Sequence, residues 1–239
     1  MLEKLNIQNI LFLDIETVPQ HNGYDGLDES ERPLWDHKAT TISRGEQTGE
    51  DLYDRAGIYA EFGKIICISV GFISTENDAR QYRSRSFFGD DETALLVEFS
   101  KLLSNHFNLP QHLLCAHNGK EFDFPYIARR MVINQVEIPP ILQISGLKPW
   151  EVQHIDTMEL WKFGDRKSFT SIALLAHVLG ISTPKDDISG SDVARIYYEE
   201  KNLNRIEKYC RKDTLTVAQV LLRLKGKPIL SEDEITDVK

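Results

Sequence analysis

Residues 9–17 read NILFLDIET and combine a fully apolar stretch with two closely spaced carboxylates. Because residues 10–13 are apolar at both odd and even positions, they predict a central β-strand that is buried on both faces. Asp14 and Glu16 are two residues apart, so on a strand their side chains point to the same face. Two like charges on a buried strand are unfavourable unless a cation compensates for them. The alternative is a strand that ends before Asp14 and leaves both acids in a solvated loop.

Further strand and helix patterns follow this first strand. Residues 64–74 are another apolar strand, and residues 79–88 alternate polar and apolar like an exposed or edge strand, so the three predict an antiparallel meander. Short strands are predicted at 113–116 and 154–161. The predicted helices are 92–106 with caps at Asp90 and Asp91, 124–134, 171–179, 192–200 and 203–224. The pattern predicts an α/β fold with a mixed central sheet flanked by helices.

The 239 residues show no interdomain linker and no internal repeat, which indicates a single domain over residues 1–224. Residues 20–62 contain few apolar side chains for their length. We interpret them as an insertion with one or two short helices, because a loop this long is usually functional or disordered. Residues 225–239 are polar and acidic and are predicted to form a loose C-terminal tail.

Charge and cysteine content limit the classes of protein to which the chain can belong. The net charge of −9 argues against a protein that coats duplex nucleic acid by bulk electrostatics, although it is compatible with acidic residues that hold metal ions. Cys67, Cys115 and Cys210 lie in apolar segments without metal-ligand spacing and are predicted to be reduced and buried. The sequence has no secretory signal and no apolar run of membrane-spanning length, so a cytoplasmic location without membrane contact is expected.

A further acidic residue interrupts the apolar face of the last predicted helix. Its apolar residues, from Leu203 to Leu224, leave one vacancy in the inward stripe, and Asp213 fills it. Tyr209 lies four residues earlier, one turn away on the same face. A buried Tyr–Asp hydrogen bond, or an aspartate at the solvent edge of the stripe, explains this pattern without any catalytic role.

The segment HNGKEFDFPY, residues 117–126, directly follows a short buried strand, where sites of α/β proteins usually form. Asp123 is either a site residue or the cap of the following helix. Capping gives a reason for Asp123 alone and explains the presence of Asn118, Phe122 and Tyr126 poorly. Four carboxylates in three segments could therefore converge at the strand ends. Sites made only of carboxylates suit Mg²⁺ or Mn²⁺, and paired cations of this kind assist phosphoryl displacement.

DIET at residues 14–17, NGKEFDFPYI at 118–127 and YCRKD at 209–213 occur in that order. They resemble the three motifs of the DEDD 3′–5′ exonuclease superfamily. Tyrosine, rather than histidine, four residues before the final aspartate is typical of the tyrosine subtype. The second and third motifs are most similar to those of family B DNA polymerase proofreading domains and of predicted free-standing exonucleases related to them. The resemblance spans residues 10–224 and implies an RNase H-like fold.

The resemblance also implies residue roles. Asp14, Glu16 and Asp213 would bind one divalent cation, Mg²⁺ or Mn²⁺, and Asp14 with Asp123 would hold a second. Tyr209 would orient the attacking water. The lesser roles implied are nucleotide contacts, through the backbone at Thr17 and Val18 and through Asn118, Phe122 and Tyr126. For the rings of Phe122 and Tyr126, stacking on a base and packing in the core are equally good explanations.

The expected substrate is the 3′ end of single-stranded DNA, and the expected product is a nucleoside 5′-monophosphate. RNA is the nearest alternative substrate, since nothing in the sequence indicates contact with a 2′-hydroxyl. A non-catalytic nucleic-acid-binding module and a polymerase accessory subunit are alternatives of another class. A polymerase does not fit in 239 residues, so this chain is not expected to proofread its own synthesis, and a polymerase or repair partner is left unidentified.

Overall fold

A computed structural model describes residues 2–76, 79–148, 150–165, 169–182 and 188–237 of the chain. The strands in these ranges are β1 (Ile10–Pro19), β2 (Gly63–Glu76), β3 (Ala79–Phe88), β4 (Leu113–Ala116), β5 (Ile155–Asp156) and β6 (Ile235–Asp237). They form one sheet in the order β5-β4-β1-β2-β3-β6. An antiparallel meander is formed by β1, β2 and β3. The pairs β1–β4, β4–β5 and β3–β6 are parallel, so the predicted mixed α/β sheet is confirmed.

Helices cover both faces of this sheet. Their bounds are α1 (Glu31–Ser43), α2 (Gly49–Leu52), α3 (Glu92–His106), α4 (Asp123–Ile133), α5 (Thr157–Lys162), α6 (Ile172–Val178), α7 (Val193–Arg195) and α8 (Leu203–Leu224). Leu11, Leu13 and Ile15 of β1 pack in the cluster that includes α3 and α4. Ile10 and Phe12, on the opposite face, pack with α8. β1 is therefore buried on both faces, as its sequence predicts.

β1 continues through Asp14 and Glu16 to Pro19, so the alternative of two solvated loop acids is wrong. β4 pairs with β1 only at residues 10–12, and β2 pairs with β1 along its other edge at residues 12–19. Beyond Phe12 the β4-facing edge of β1 therefore opens towards α4, whose first residue is Asp123. This opening brings the second predicted motif next to the first.

Residues 20–62 fold around an apolar cluster of their own. The indole of Trp35 is fully buried and meets the rings of Tyr53 and Phe62 edge to face, at centroid distances of 5.5 and 5.1 Å. Its Nε1 donates a hydrogen bond to the carbonyl oxygen of Gly49 over 2.7 Å. The segment contains the expected helices, α1 and α2, and a 3₁₀ helix, Tyr53–Ile58.

The end of the chain differs from its prediction. Leu230 is buried, Arg80 of β3 forms an ion pair with Glu234 over 2.9 Å, and β6 extends the sheet beside β3. The loose tail is therefore wrong for residues 225–237; residues 238–239 lie outside the described ranges. β3, predicted as an exposed or edge strand, is therefore covered by β6 at residues 82–84.

A second difference concerns residues 154–161, which were predicted as a strand. Only Ile155–Asp156 is extended, and α5 begins at Thr157. Asp156 ends the strand because its carboxylate accepts hydrogen bonds from the backbone N–H groups of Met158 and Glu159, which starts the helix. Of the remaining predicted helices, 192–200 is α-helical only at Val193–Arg195 and continues as a π-helix, Ile196–Glu200, and the others are confirmed to within one residue. None of the helices in the described ranges has the length and apolar character needed to cross a membrane.

Candidate active site

Asp14 and Glu16 project from β1 on the face that packs against α8. Glu16 is only 7% exposed. Oδ2 of Asp14 is buried and has no hydrogen-bond partner among the described residues. Burial raises the pKa of both carboxyl groups well above their usual values, and their acidic neighbours raise it further. An uncompensated buried carboxylate oxygen is unfavourable, so this position is suited to a cation.

Asp213 and Tyr209 belong to α8, which crosses β1 and β2. The negative charge of Asp213 raises the pKa of both Asp14 and Glu16, so Asp213 lies within electrostatic range of them. Burial, and then Asp213, raise the pKa of the Tyr209 hydroxyl, so this group stays protonated near neutral pH. The hydroxyl also bonds to Asp213. Asp213 lies at the border of the buried stripe, not in its vacancy; Thr214 fills that place and is fully buried.

Asp123 is the first residue of α4 and is 4% exposed. Its carboxylate accepts a hydrogen bond from the backbone N–H of Ile15, which joins α4 to the open edge of β1. Burial raises the pKa of Asp123 to about 7, and Asp156 adds to this effect. The N-cap position of α4 is occupied by Phe122, whose side chain makes no capping hydrogen bond. Asp123 is the next residue, inside the helix, so the capping alternative does not account for it.

Two residues that support the site were missed by the sequence analysis. The Cys210 thiol donates to the carbonyl oxygen of Asp14 over 3.3 Å, and its Sγ lies within 4.8 Å of a carboxylate oxygen of both Asp14 and Glu16. Burial raises the pKa of this thiol, so it acts as a neutral donor, and hard cations prefer the oxygen ligands beside it. The position of Cys210 between Tyr209 and Asp213 was the available signal.

The other missed residue is Asp156, which holds the loop of the second motif. Besides capping α5, its carboxylate accepts from the backbone N–H groups of Asn118 and Lys120 over 3.0 and 3.1 Å. It therefore fixes the turn that leads into Asp123. The sequence DTME at 156–159 has the residues of a helix start, an aspartate with glutamate three positions later, and this was the signal.

The predicted nucleotide contacts fall into different environments. Thr17 and Phe122 line a cleft of about 520 Å³ together with Glu16. Asn118, in a left-handed conformation with φ of 64°, lines a neighbouring depression with Lys120. The Val18 side chain is fully buried, which leaves its backbone as the predicted contact.

Stacking of Tyr126 on a base is wrong, because the ring is 1% exposed and packs in the core. The Tyr126 hydroxyl instead donates to the carbonyl oxygen of Gly57 over 2.7 Å and also bonds to Thr17. Its physical role is to join α4 to β1 and to the end of the 20–62 segment.

A family model of the RNase H superfamily matches residues 55–225, a stretch that contains β2 to β5 and α3 to α8. The chain belongs to the RNase H superfamily. The match includes Asp123, Tyr209 and Asp213 and begins after β1, so Asp14 and Glu16 join the site through the fold. No curated protein matches the sequence.

RNase H-like nucleases generally use divalent metals, and the residues of this site fit such ions. The buried, unpartnered Oδ2 of Asp14 needs a positive partner. The surrounding donors are carboxylate oxygens, which suit Mg²⁺ or Mn²⁺. Membership of the superfamily indicates a nuclease that acts on nucleic acid.

The raised pKa of Asp123 predicts a pH-dependent stability for the metal-free protein. A carboxyl whose folded pKa is about 7 stabilises the fold at low pH and loses this contribution as the pH rises through 7. In EDTA, the free energy of unfolding of Asp123→Asn relative to wild type should therefore increase by about 2–3 kcal/mol from pH 5 to pH 7.5.

Urea denaturation at both pH values measures this difference. Subtracting wild type cancels the buried His117 and His154, whose lowered pKa values act in the opposite direction. A stability difference that does not change with pH would show that Asp123 ionises normally.

Proposed function

We propose that this protein is a metal-dependent 3′–5′ exonuclease that removes nucleotides from single-stranded 3′ ends, with DNA as the favoured substrate. The proposal is supported by four acidic residues of β1, α4 and α8 that act on one another electrostatically, Asp14, Glu16, Asp123 and Asp213, of which Glu16 lines the cleft. These carboxylates and Tyr209 stand in the order and spacing of the tyrosine subtype of DEDD exonucleases. A non-catalytic binding module has no need for a buried acidic cluster, which disfavours that alternative.

Two divalent cations, Mg²⁺ or Mn²⁺, would supply charge compensation for the phosphodiester and lower the pKa of the attacking water. Asp14, Glu16 and Asp213 would hold one of them, and Asp14 with Asp123 the other. The water oxygen forms a bond to the terminal phosphorus while the bond from phosphorus to the 3′ oxygen of the preceding nucleotide breaks. The leaving 3′ oxygen takes up a proton, and a nucleoside 5′-monophosphate is released.

Tyr209 would position the water in this reaction. Its hydroxyl remains protonated near neutral pH, because burial and the nearby carboxylates disfavour the phenolate. The group therefore donates or accepts a hydrogen bond and does not serve as a general base. Its bond to Asp213 holds it beside the carboxylates.

The direct test uses a 5′-labelled single-stranded DNA and the matched RNA. Each is incubated with wild type and with Asp14→Ala in Mg²⁺, Mn²⁺ or EDTA. A metal-dependent ladder that shortens from the 3′ end, absent with the variant, supports the proposal, and the faster substrate decides between DNA and RNA. No cleavage of either strand by folded, metal-supplied protein would favour the binding module or a nuclease that requires a polymerase or repair partner.

Tyr209→Phe should slow hydrolysis by about 10–100-fold, because the water loses an orienting hydrogen bond while the carboxylates remain. The rise in melting temperature caused by Mn²⁺ should be unchanged, since it reports binding to the carboxylates. Tyr197→Phe is the matched control, because the Tyr197 hydroxyl bonds to Asp90 and Lys64, outside the cleft. Equal turnover by Tyr209→Phe and wild type would remove Tyr209 from the mechanism.

A further inference from the structure

The 20–62 segment forms one wall of the cleft that contains Glu16. The residues it contributes are Asp54, Arg55, Gly57 and Ile58, all in or beside the same 3₁₀ helix. Glu16, Thr17 and Phe122 also line this cleft. The insertion, for which the sequence offered no role, is therefore part of the surface that a substrate in this cleft would contact.

The backbone of this wall is held firmly against β1. A Cβ atom on Gly57 would lie 2.9 Å from the carbonyl carbon of Val18, so only glycine allows this close approach. The Tyr126 hydroxyl bonds to the carbonyl oxygen of Gly57, and Tyr53 and Ala56 are buried beside it. Arg55 thus extends from a fixed backbone, which reduces the entropy lost when its side chain binds a ligand.

Arg55 is the one basic side chain among the described residues that line the cleft. It is exposed, and in the described part of the chain it forms no ion pair, even though Asp54 is its neighbour. The acidic residues that line the cleft are Glu16 and Asp54. A cationic side chain on the same lining favours the binding of a phosphodiester there, and a guanidinium binds phosphate through two parallel hydrogen bonds.

Two apolar side chains also line the cleft, and the volume of the cleft is limited. Ile58 is 47% exposed, and Phe122, which also lines the cleft, is partly exposed. Both are suitable surfaces for the face of a nucleobase. A volume of about 520 Å³ lies in the range of small-ligand sites and is suitable for one nucleotide.

We propose that Arg55 binds a phosphate at the 3′ end of the substrate while Ile58 and Phe122 hold the terminal base. The 20–62 segment is then the element that selects a single-stranded end. This inference rests on the proposed exonuclease function and assigns the substrate contacts of that same site.

Binding of a fluorescent single-stranded oligonucleotide tests the assignment. All variants are made on the Asp14→Asn background, after this background has been shown to leave the strand intact. Arg55→Gln should weaken binding about tenfold and should reduce the slope of log affinity against log salt by about 0.7, the value for one phosphate contact on a single strand. Asp54→Asn should strengthen binding about two- to threefold at low salt, because it removes a nearby negative charge.

Arg44→Gln is the matched control, since Arg44 belongs to the same segment and does not line the cleft. It should change neither the affinity nor the salt slope. Equal losses from Arg44→Gln and Arg55→Gln would mean that the effect is only net charge, and this would overturn the assignment.

A neutral methylphosphonate, placed in turn at each of the last three linkages, locates the contact. At the linkage bound by Arg55, the neutral substitution should weaken the affinity of the Asp14→Asn protein for the strand. The affinity of the protein that also carries Arg55→Gln should be almost unchanged. Hydrolysis by the active enzyme distinguishes an error in the Arg55 assignment from an error in the proposed function. If wild type degrades DNA and Arg55→Gln has the same KM, only the Arg55 assignment is wrong; if wild type degrades nothing, the proposed function is wrong as well.

Discussion

Replacement of Asp14 by Asn is expected to reduce hydrolysis by about three orders of magnitude or more, while leaving the metal-free protein at least as stable as wild type. Asp14 would bind both cations, so its loss removes the shared ligand of the site. The same change relieves a buried carboxylate whose Oδ2 has no partner and whose neighbours are Glu16, Asp123 and Asp213. A merely structural aspartate would show the opposite pattern, with lower stability and retained turnover.

The measurement combines the 3′-shortening assay with urea denaturation at pH 7.5 in EDTA. Repeating the denaturation with Mn²⁺ should stabilise wild type and have a much smaller effect on Asp14→Asn. Asp213→Ala should lose activity in the same way. Asp25→Asn, an exposed acidic residue in the 20–62 segment, is the control and should change none of these quantities. Full activity in either Asp14→Asn or Asp213→Ala would refute the site assignment.

Replacement of Arg130 by Met should have the largest effect on stability. Arg130 of α4 and Glu92 of α3 are 5% and 7% exposed and form a bidentate pair with distances of 2.9 and 2.5 Å. Arg130 also donates to the carbonyl oxygen of Ala60, and Glu92 accepts from the backbone N–H of Ile65. Removal of the arginine leaves a buried charge without its partner, which costs about 3–5 kcal/mol. For a chain of this size the melting temperature should fall by about 6–20 °C.

Arg129→Met on the same helix is the matched control, because Arg129 is exposed and should alter stability by less than about 0.5 kcal/mol. The double variant Glu92→Gln, Arg130→Met should be more stable than Arg130→Met alone, since the unpaired charge is gone. Thermal denaturation of wild type, the two single variants and the double variant measures these stability differences. Similar melting temperatures for the Arg129 and Arg130 variants would show that the buried pair contributes little.

The parts of the fold that the sequence predicts are those with a strong local pattern. β1 is apolar on both faces, and α8 repeats apolar residues over six turns, so both could be placed nearly to the residue. The acidic residues of the site were recognisable because each interrupts an apolar pattern or follows a buried strand. Their charge conflicts with the local environment, and a conflict of this kind is expected where function requires it.

The parts that were missed depend on distant contacts. β6 has three residues, and it is ordered because Leu230 is buried and Glu234 pairs with Arg80, more than 100 residues away in sequence. The sequence left stacking and core packing of Tyr126 equally open, since its partner Gly57 belongs to an insertion whose position relative to α4 could not be predicted. Asp156 is the second residue of the two-residue strand β5 and caps the helix that begins at Thr157, so in such a short element capping outweighs strand propensity. Tertiary contacts decide each of these cases.

The contact between Cys210 and Asp14 joins residues 196 positions apart, and it places the last long helix against the first strand. A chain being synthesised from its N-terminus therefore carries Asp14 and Glu16 long before Asp213 exists. The complete set of carboxylates forms only after α8 has left the ribosome and docked on the sheet. A partly made chain lacks the assembled site of the proposed nuclease, so the order of synthesis delays any activity that depends on all four carboxylates.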